Sequence, residues 1–428
     1  MPAATNLLGL TPLNHIPAKL FLPYILYFDT PDPQTAVNTL QKGIDKVISQ
    51  LPWLAGDVKH FDHDEDIRSH PVQSYLPLPT FRPVSEQRPV LRFQANVFPS
   101  KIVLAMSFWH SVFDGTGAGV ILEAVAECCK TPSDESETPI AQLIANTHPL
   151  LRKKVSNFPT QCQTRLDHPE LGVPVFDPNT STAQWDAMES ALADAVETAR
   201  YTFSPEKVSQ MKDTCTQVLP KLQQSSASWI SSNDIITAVL AICVDRTLHP
   251  ERANKTESAD FLMAVDLRSR VQPPLPETYP GNAIFPVHDS IYLQETAGQT
   301  GEDADLLHLT HLALRVRSKL ASMDETLAYS APAAVADCDD WTKIEASPAD
   351  IIVTSWRGLK MFSLDFGAGL GHIEDFEPGL ALVPGGCIFL PSRVERSGST
   401  PPWEVCITLK KGDSQTLAKD PLFSRILA

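Results

Sequence analysis

The stretch FWHSVFDGTG, residues 108–117, decides how this chain is read. An apolar run ends on His110, Asp114 follows four residues later, and Gly115 and Gly117 open the next segment. Histidine is the first candidate wherever a hydroxyl must be deprotonated, because its pKa lies near ambient pH. Glycine at 115 lets a substrate or a second backbone come close without a Cβ in between. Asp114 either holds the imidazole or turns away to pair with an arginine. Twelve histidines in 428 residues yield about one His-x-x-x-Asp pair from composition alone, so the surroundings must decide.

Upstream of the stretch, VLRFQANVFPSKIVLAMSFWH alternates as two strands joined at FPSK, a hairpin that delivers His110 to its C-terminal edge. Downstream, GTGAGVILEAVAECCK reads as a helix. Further out, LFLPYILYF (20–28) is a first strand. A helix follows with Val37, Leu40, Ile44, Val47, Ile48 and Leu51 at helical spacing, stopped by Pro52. Residues 130–200 read as a long crossover with some helix, ending near Ala199. RYTFSPEKVSQMKD then runs from strand into a helix capped by Ser204 with Pro205 at its first position. SWISSNDIITAVLAICVDRTL holds another helix, its N-cap expected at Ser232 or Asn233. FLMAVDLRSRV is a strand, whereas PPLPETYPGNAIFPV is too proline-rich for a central one. LLHLTHLALRVRSKLASM is an amphipathic helix, and IIVTSW, KMFSLDF, CIFLPSR and WEVCITL read as four short strands. The mixture in both halves predicts an α/β (α+β) fold of two similar domains, at 1–185 and 201–428, with a crossover linker at 186–200.

Composition sets outer bounds. Hydrophobic residues at 43% and charged residues at 20% fit globular domains and argue against wholesale disorder or a coiled coil. Thirty-six prolines against nineteen glycines predict stiff connections between short elements. A formal net charge of −16, without a concentrated Lys/Arg face, argues against a nucleic-acid partner while leaving room for a small basic pocket. The eight scattered cysteines lack any C-x-x-C pairing and read as reduced, mostly buried thiols of an intracellular protein. The first residues lack the basic and continuously apolar regions of a signal peptide, and no run reaches the length of a membrane span. The expectation is a cytoplasmic monomer with no membrane partner.

HSVFDG, the SSNDIITA helix start, DLRSRVQPPLPETYPGNAIF, and VTSW followed by LDFGAG occur here in that order. Together they resemble the BAHD acyl-CoA-dependent acyltransferases, closest in pattern to the fungal members that acetylate trichothecenes or ergot alkaloids. The resemblance runs from YILYF and WLAGDV to WEVCITL. It implies two chloramphenicol-acetyltransferase-like domains of mixed sheets and flanking helices, with a channel at their interface. It further implies transfer of an acyl group, most simply acetyl, from acyl-CoA to a hydroxyl of a hydrophobic secondary metabolite, with no tightly bound cofactor.

The HxxxDG motif of the family matches His110, Asp114 and Gly115, with the histidine as general base and the aspartate chiefly structural. Its DFGWG motif matches Asp365, Phe366, Gly367 and Gly369, a loop away from the chemistry whose aspartate is expected to pair with Arg268 or Arg270. Ala368 stands where the family has tryptophan. Thr354 and Trp356 match the TSW segment that lines the acceptor side, where a hydroxyl and an indole N–H suit a developing oxyanion. For the phosphates of CoA, the helix start at Ser232 and Asn233 offers N–H donors, and Arg268, Arg270 and Lys319 offer charge. Two relatives of the scaffold do other chemistry: carrier-dependent condensation, whose doubled histidine is here Trp109 and His110, and non-acylating cyclisation.

Other signals point elsewhere. HFDHDEDIRSH (60–70) is a solvated turn rather than a metal site, given its irregular spacing. FGAGLG (366–371) is not followed by the helix that a dinucleotide fingerprint requires. His308 and His311 sit on a helix with no third ligand. No metal is expected.

Overall fold

The computed structural model describes residues 10–54, 58–62, 72–82, 86, 88–130, 139–164, 166–168, 171–172, 177, 180–222, 229–254, 258–292, 302–338, 344–379, 383–393 and 400–428. Most of the histidine- and aspartate-rich turn at 60–70 lies outside these residues.

Thirteen strands are present among the described residues. They are β1 Phe21–Asp29, β2 Val58–Asp62, β3 Leu91–Phe98, β4 Lys101–Trp109, β5 Leu171–Gly172, β6 Val196–Phe203, β7 Ser258–Asp266, β8 Ile284–Tyr292, β9 Glu345–Ala346, β10 Ile351–Ser355, β11 Asp375–Glu377, β12 Gly386–Phe389 and β13 Trp403–Lys410. The first sheet has the order β11-β1-β4-β3-β2, the second β6-β13-β12-β10-β7-β8, and β5 pairs with β9. Both large sheets are mixed. In the first, β2 runs parallel to β3 while β1, β3 and β4 are antiparallel neighbours. In the second, β10 is parallel to both β7 and β12.

Helices cover these sheets because their apolar faces need burial. Asp32 caps the helix Pro33–Gln50 by accepting from the Thr35 N–H at 3.1 Å. Val37, Leu40, Ile44 and Val47 then turn one stripe inward. The helix Gly115–Lys130 is buried on nearly every side. The helix Ser232–Leu248 is likewise apolar around its circumference and fills the centre of the second core. Eight cysteines are free thiols. No helix among the described residues is long and apolar enough to cross a membrane, and no group of three or more His, Cys, Asp or Glu among them could hold a metal ion.

The second half does not stay on its own sheet. Trp356, Met361, Phe366, Leu370 and Phe376 are buried in the core of the first, and β11 pairs along the edge of β1 with Leu26 opposite Phe376. This excursion accounts for one departure from expectation. KMFSLDF forms no strand; it is a short 3-10 turn, Met361–Ser363, leading into a glycine-rich loop. Its alternating apolar residues are anchors into the neighbouring core rather than one face of a sheet.

Two further boundaries shift. The region 186–200, expected as a linker, is divided between the helix Thr182–Ala195 and β6. The crossover before it holds the helices Pro139–Ser156 and Phe158–Gln161. Ser231 caps the helix expected to begin with a cap at Ser232 or Asn233, because Asp234 closes a reciprocal capping box with it. The proline-rich IFPV does enter a strand, β8, at the edge of its sheet, where a missing N–H is tolerated.

Candidate active site

His110 follows the last residue of β4. Phe21 pairs with Trp109, so the next N–H, that of His110, donates to the Leu20 carbonyl at 2.9 Å. The chain then turns sharply, with the Val112 N–H bonded to the Trp109 carbonyl at 2.8 Å. This turn brings the Phe113 carbonyl to 2.8 Å from Nδ1 of His110. A carbonyl oxygen only accepts, so Nδ1 carries the proton and Nε2 presents its lone pair. The ring is partly buried, and desolvation is the main cause holding its pKa below the ordinary histidine value; the Phe113 carbonyl and Asp114 oppose it, and Lys19 reinforces it. The lowered pKa favours the neutral imidazole at neutral pH, with Nε2 as its acceptor.

Asp114 does not touch that imidazole nitrogen. Its buried carboxylate accepts from the Gly117 N–H at 2.7 Å, which caps the following helix. It also accepts from the Ala283 N–H at 2.8 Å and from both terminal nitrogens of Arg268 at 3.0 Å. The fork geometry makes this a bidentate, charge-assisted pair. Arg268 further donates to the carbonyls of Tyr279 at 3.0 Å and Gly281 at 2.8 Å and meets Asp266 at 3.2 Å. Burial works against the guanidinium charge, but Asp114 and Asp266 outweigh it and raise its pKa. A residue from the second half thus locks the turn that carries His110.

Gly115 is required by close approach. A Cβ there would lie 2.4 Å from Nε1 of Trp356. Tyr24, kept protonated by burial, donates to the Gly115 carbonyl at 2.6 Å and meets Trp356 edge-on at 5.1 Å. Gly117 is packed as tightly, since its Cβ would fall 1.9 Å from the Pro280 carbonyl oxygen. Thr354, on β10, is partly buried two residues before Trp356. Gly115→Ala is expected to push the indole away, lowering kcat/KM at least about tenfold and stability by about 1–3 kcal/mol. Steady-state kinetics and thermal unfolding check this, and wild-type values in both would refute the packing argument.

The Asp365 loop stands apart. Asp365 pairs with Lys130 at 2.9 Å, not with Arg268 or Arg270. Lys130 ends the helix that Gly115 begins, so the loop lies about 22 Å, one helix length, from the His110 turn. The expected arginine partner fails because Arg268 is already committed to Asp114 and Arg270 donates to the carbonyls of Leu320 at 2.8 Å and Met323 at 2.7 Å. Gly367 and Gly369 have φ of +81° and +92°, left-handed values that favour glycine. Phe366 is buried against Phe28 at 5.0 Å. Ala368 is exposed, so its side chain is not an anchor in the core.

Ser232 and Asn233 occupy the first turn of their helix, partly buried. The adjoining Asp234 is held by Arg317 at 2.8 Å, and Arg317 stacks over Trp229 at 4.0 Å from its ring centre. Of the two roles open to Asp114, the structure shows pairing with an arginine, whereas the contact of Asn282 across the two halves has no signal in the sequence beyond YPGN. Asn282 donates to the His110 carbonyl at 2.8 Å.

Two mixed sheets with flanking helices, joined through a buried turn that carries HxxxDG, define a two-domain acyltransferase scaffold. The chain belongs to the Transferase family, whose sequence model matches residues 55–421, and is an acyl-CoA-dependent acyltransferase. It is 30% identical to fumigaclavine B O-acetyltransferase of Aspergillus fumigatus over 97% of this chain and 96% of that protein. It is 29% identical to the enzyme of the same name from Penicillium roqueforti, over 96% of each. Among solved structures it is similar to F. graminearum TRI101 complexed with coenzyme A and deoxynivalenol, with a TM-score of 0.76 and 18% identity over 98% of each chain. The BAHD resemblance and its fungal secondary-metabolite pattern are borne out, and so is the fold class.

Proposed function

We propose that this protein moves an acetyl group from acetyl-CoA to a hydroxyl of a hydrophobic secondary metabolite, with His110 as general base. The observation that carries this reading is the His110 turn. Nδ1 is held by a carbonyl, Nε2 is left as acceptor, and the backbone is fixed from both halves.

In this reading, Nε2 removes the hydroxyl proton as the oxygen attacks the thioester carbonyl. Trp356 N–H and the Thr354 hydroxyl donate to the developing oxyanion. The C–S bond then breaks, and the imidazolium returns the proton to the departing thiolate. Atoms and protons balance without an acyl-enzyme. Asp114 braces the turn, and holding both substrates together supplies much of the acceleration.

For the donor side, Ser232, Asn233 and Arg270 remain our assignment. The first-turn N–H groups favour an anion, and Arg317 neutralises the adjacent Asp234 carboxylate. Arg268 does not serve the donor, because it is buried and committed to Asp114. The domain division at 1–185 and 201–428, a cytoplasmic monomer and the absence of a tightly bound cofactor complete the proposal.

A pH profile tests the base. Only neutral imidazole accepts a proton, so activity falls as pH drops through the pKa of His110. Burial lowers that pKa, so the acid limb of kcat/KM should lie below the ordinary histidine range, with activity flat through neutral pH. An acid limb above about pH 7 would contradict the assignment.

A further inference from the structure

The side chain of Asn282 is fully buried, and its amide orientation is set by chemistry. The His110 carbonyl 2.8 Å away accepts only, so Nδ2 faces it and Oδ1 faces away. Among the described residues that Oδ1 has no hydrogen-bond partner. A buried acceptor without a donor costs free energy that an apolar side chain of similar size would avoid. Local violations of this kind concentrate at functional sites. The half of the amide that is satisfied acts on the residue that carries the base.

The neighbours show how the bond is aimed. Ala283, next in sequence, donates to Asp114 at 2.8 Å. Gly281, on the other side, accepts from Arg268 at 2.8 Å. Pro280 packs its carbonyl against Gly117. Residues 280–283 therefore grip the turn from His110 to Gly117, and within this grip Asn282 alone bonds to His110 itself. The remaining tethers of His110, at its N–H and Nδ1, come from the first half.

We propose that Asn282 is a positioning residue: its amide N–H fixes the main-chain carbonyl of His110, and so the direction of Nε2, from the second half of the protein. The inference rests on His110 being the base. Without the bond, the His110 carbonyl loses its tether from the second half, and displacement of about 1 Å at the base costs up to about a hundredfold in rate.

The test uses the full-length protein, acetyl-CoA, and the alcohol that the wild type acetylates in a screen of hydroxylated alkaloids and terpenoids. Asn282→Ala should lower kcat about 10- to 100-fold, with KM for both substrates within about twofold of wild type. Asn282→Asp supplies a second readout. Its carboxyl donates to the His110 carbonyl only when protonated, so its kcat relative to wild type should fall as pH rises. Asp114, Arg268 and Lys19 share this surrounding, and none of them is changed by the substitution. If Asn282→Ala does not fold, the Asp variant decides alone. Wild-type kcat in the Ala variant, a loss confined to KM, or a pH-independent Asp ratio would overturn the proposal. Full activity in His110→Ala would instead overturn the base reading, whereas an inactive His110→Ala beside a fully active Asn282→Ala would overturn only this one.

Discussion

Replacing His110 by alanine should lower the rate of CoA release by about 10²–10⁴-fold, while the temperature of thermal unfolding moves by no more than about 2 °C. The imidazole makes one side-chain hydrogen bond, to the Phe113 carbonyl, and is only partly buried. The fold therefore loses little. The proposed reaction loses its proton acceptor, because Asp114 is saturated by Gly117, Ala283 and Arg268 and cannot substitute. KM for acetyl-CoA should stay near its wild-type value, since the base acts in the transition state rather than in donor binding.

Asp114→Ala should be damaging for a different reason. The Asp114–Arg268 pair is almost wholly buried, at 1% and 5% side-chain exposure. Removing one partner leaves a buried guanidinium whose remaining carboxylate partner among the described residues is Asp266, beside the carbonyls of Tyr279 and Gly281. Breaking such a pair costs about 3–5 kcal/mol, roughly 3–6 °C in unfolding temperature for a chain of this length. The helix Gly115–Lys130 also loses its cap, and the His110 turn loses its brace, so activity falls with stability. A double-mutant cycle separates charge from packing. The Asp114→Ala, Arg268→Met protein should be more stable than Asp114→Ala alone, because the orphaned charge is gone. Additive losses would show that the pair is not coupled.

How much of this was legible in the sequence depended on range. The hairpin that delivers His110 was legible because β3 and β4 alternate and their turn is short and local. The helices with one apolar stripe were legible for the same reason. What failed was long-range pairing. Asp365 meets Lys130 across a separation that no local pattern encodes, and the motif alone suggested an arginine. KMFSLDF imitates a strand because its apolar residues alternate, yet positive-φ glycines at 367, 369 and 371 wind the chain instead. The cap at Ser231 had a readable signal, since Ser231 and Asp234 stand at capping-box spacing. Three adjacent cap-forming residues, Ser231, Ser232 and Asn233, obscured it. No local pattern marks Asn282 within YPGN, because its target lies 172 residues away.

Mass spectrometry of reactions with labelled acetyl-CoA shows whether acetyl transfer depends on His110. Hydroxylated alkaloids and terpenoids are incubated with the wild type and with His110→Ala, and free CoA thiol is measured in parallel. The wild type should add one labelled acetyl group per CoA released, and His110→Ala should add essentially none. A product without added acyl mass, or undiminished acetylation by His110→Ala, would contradict the proposed function.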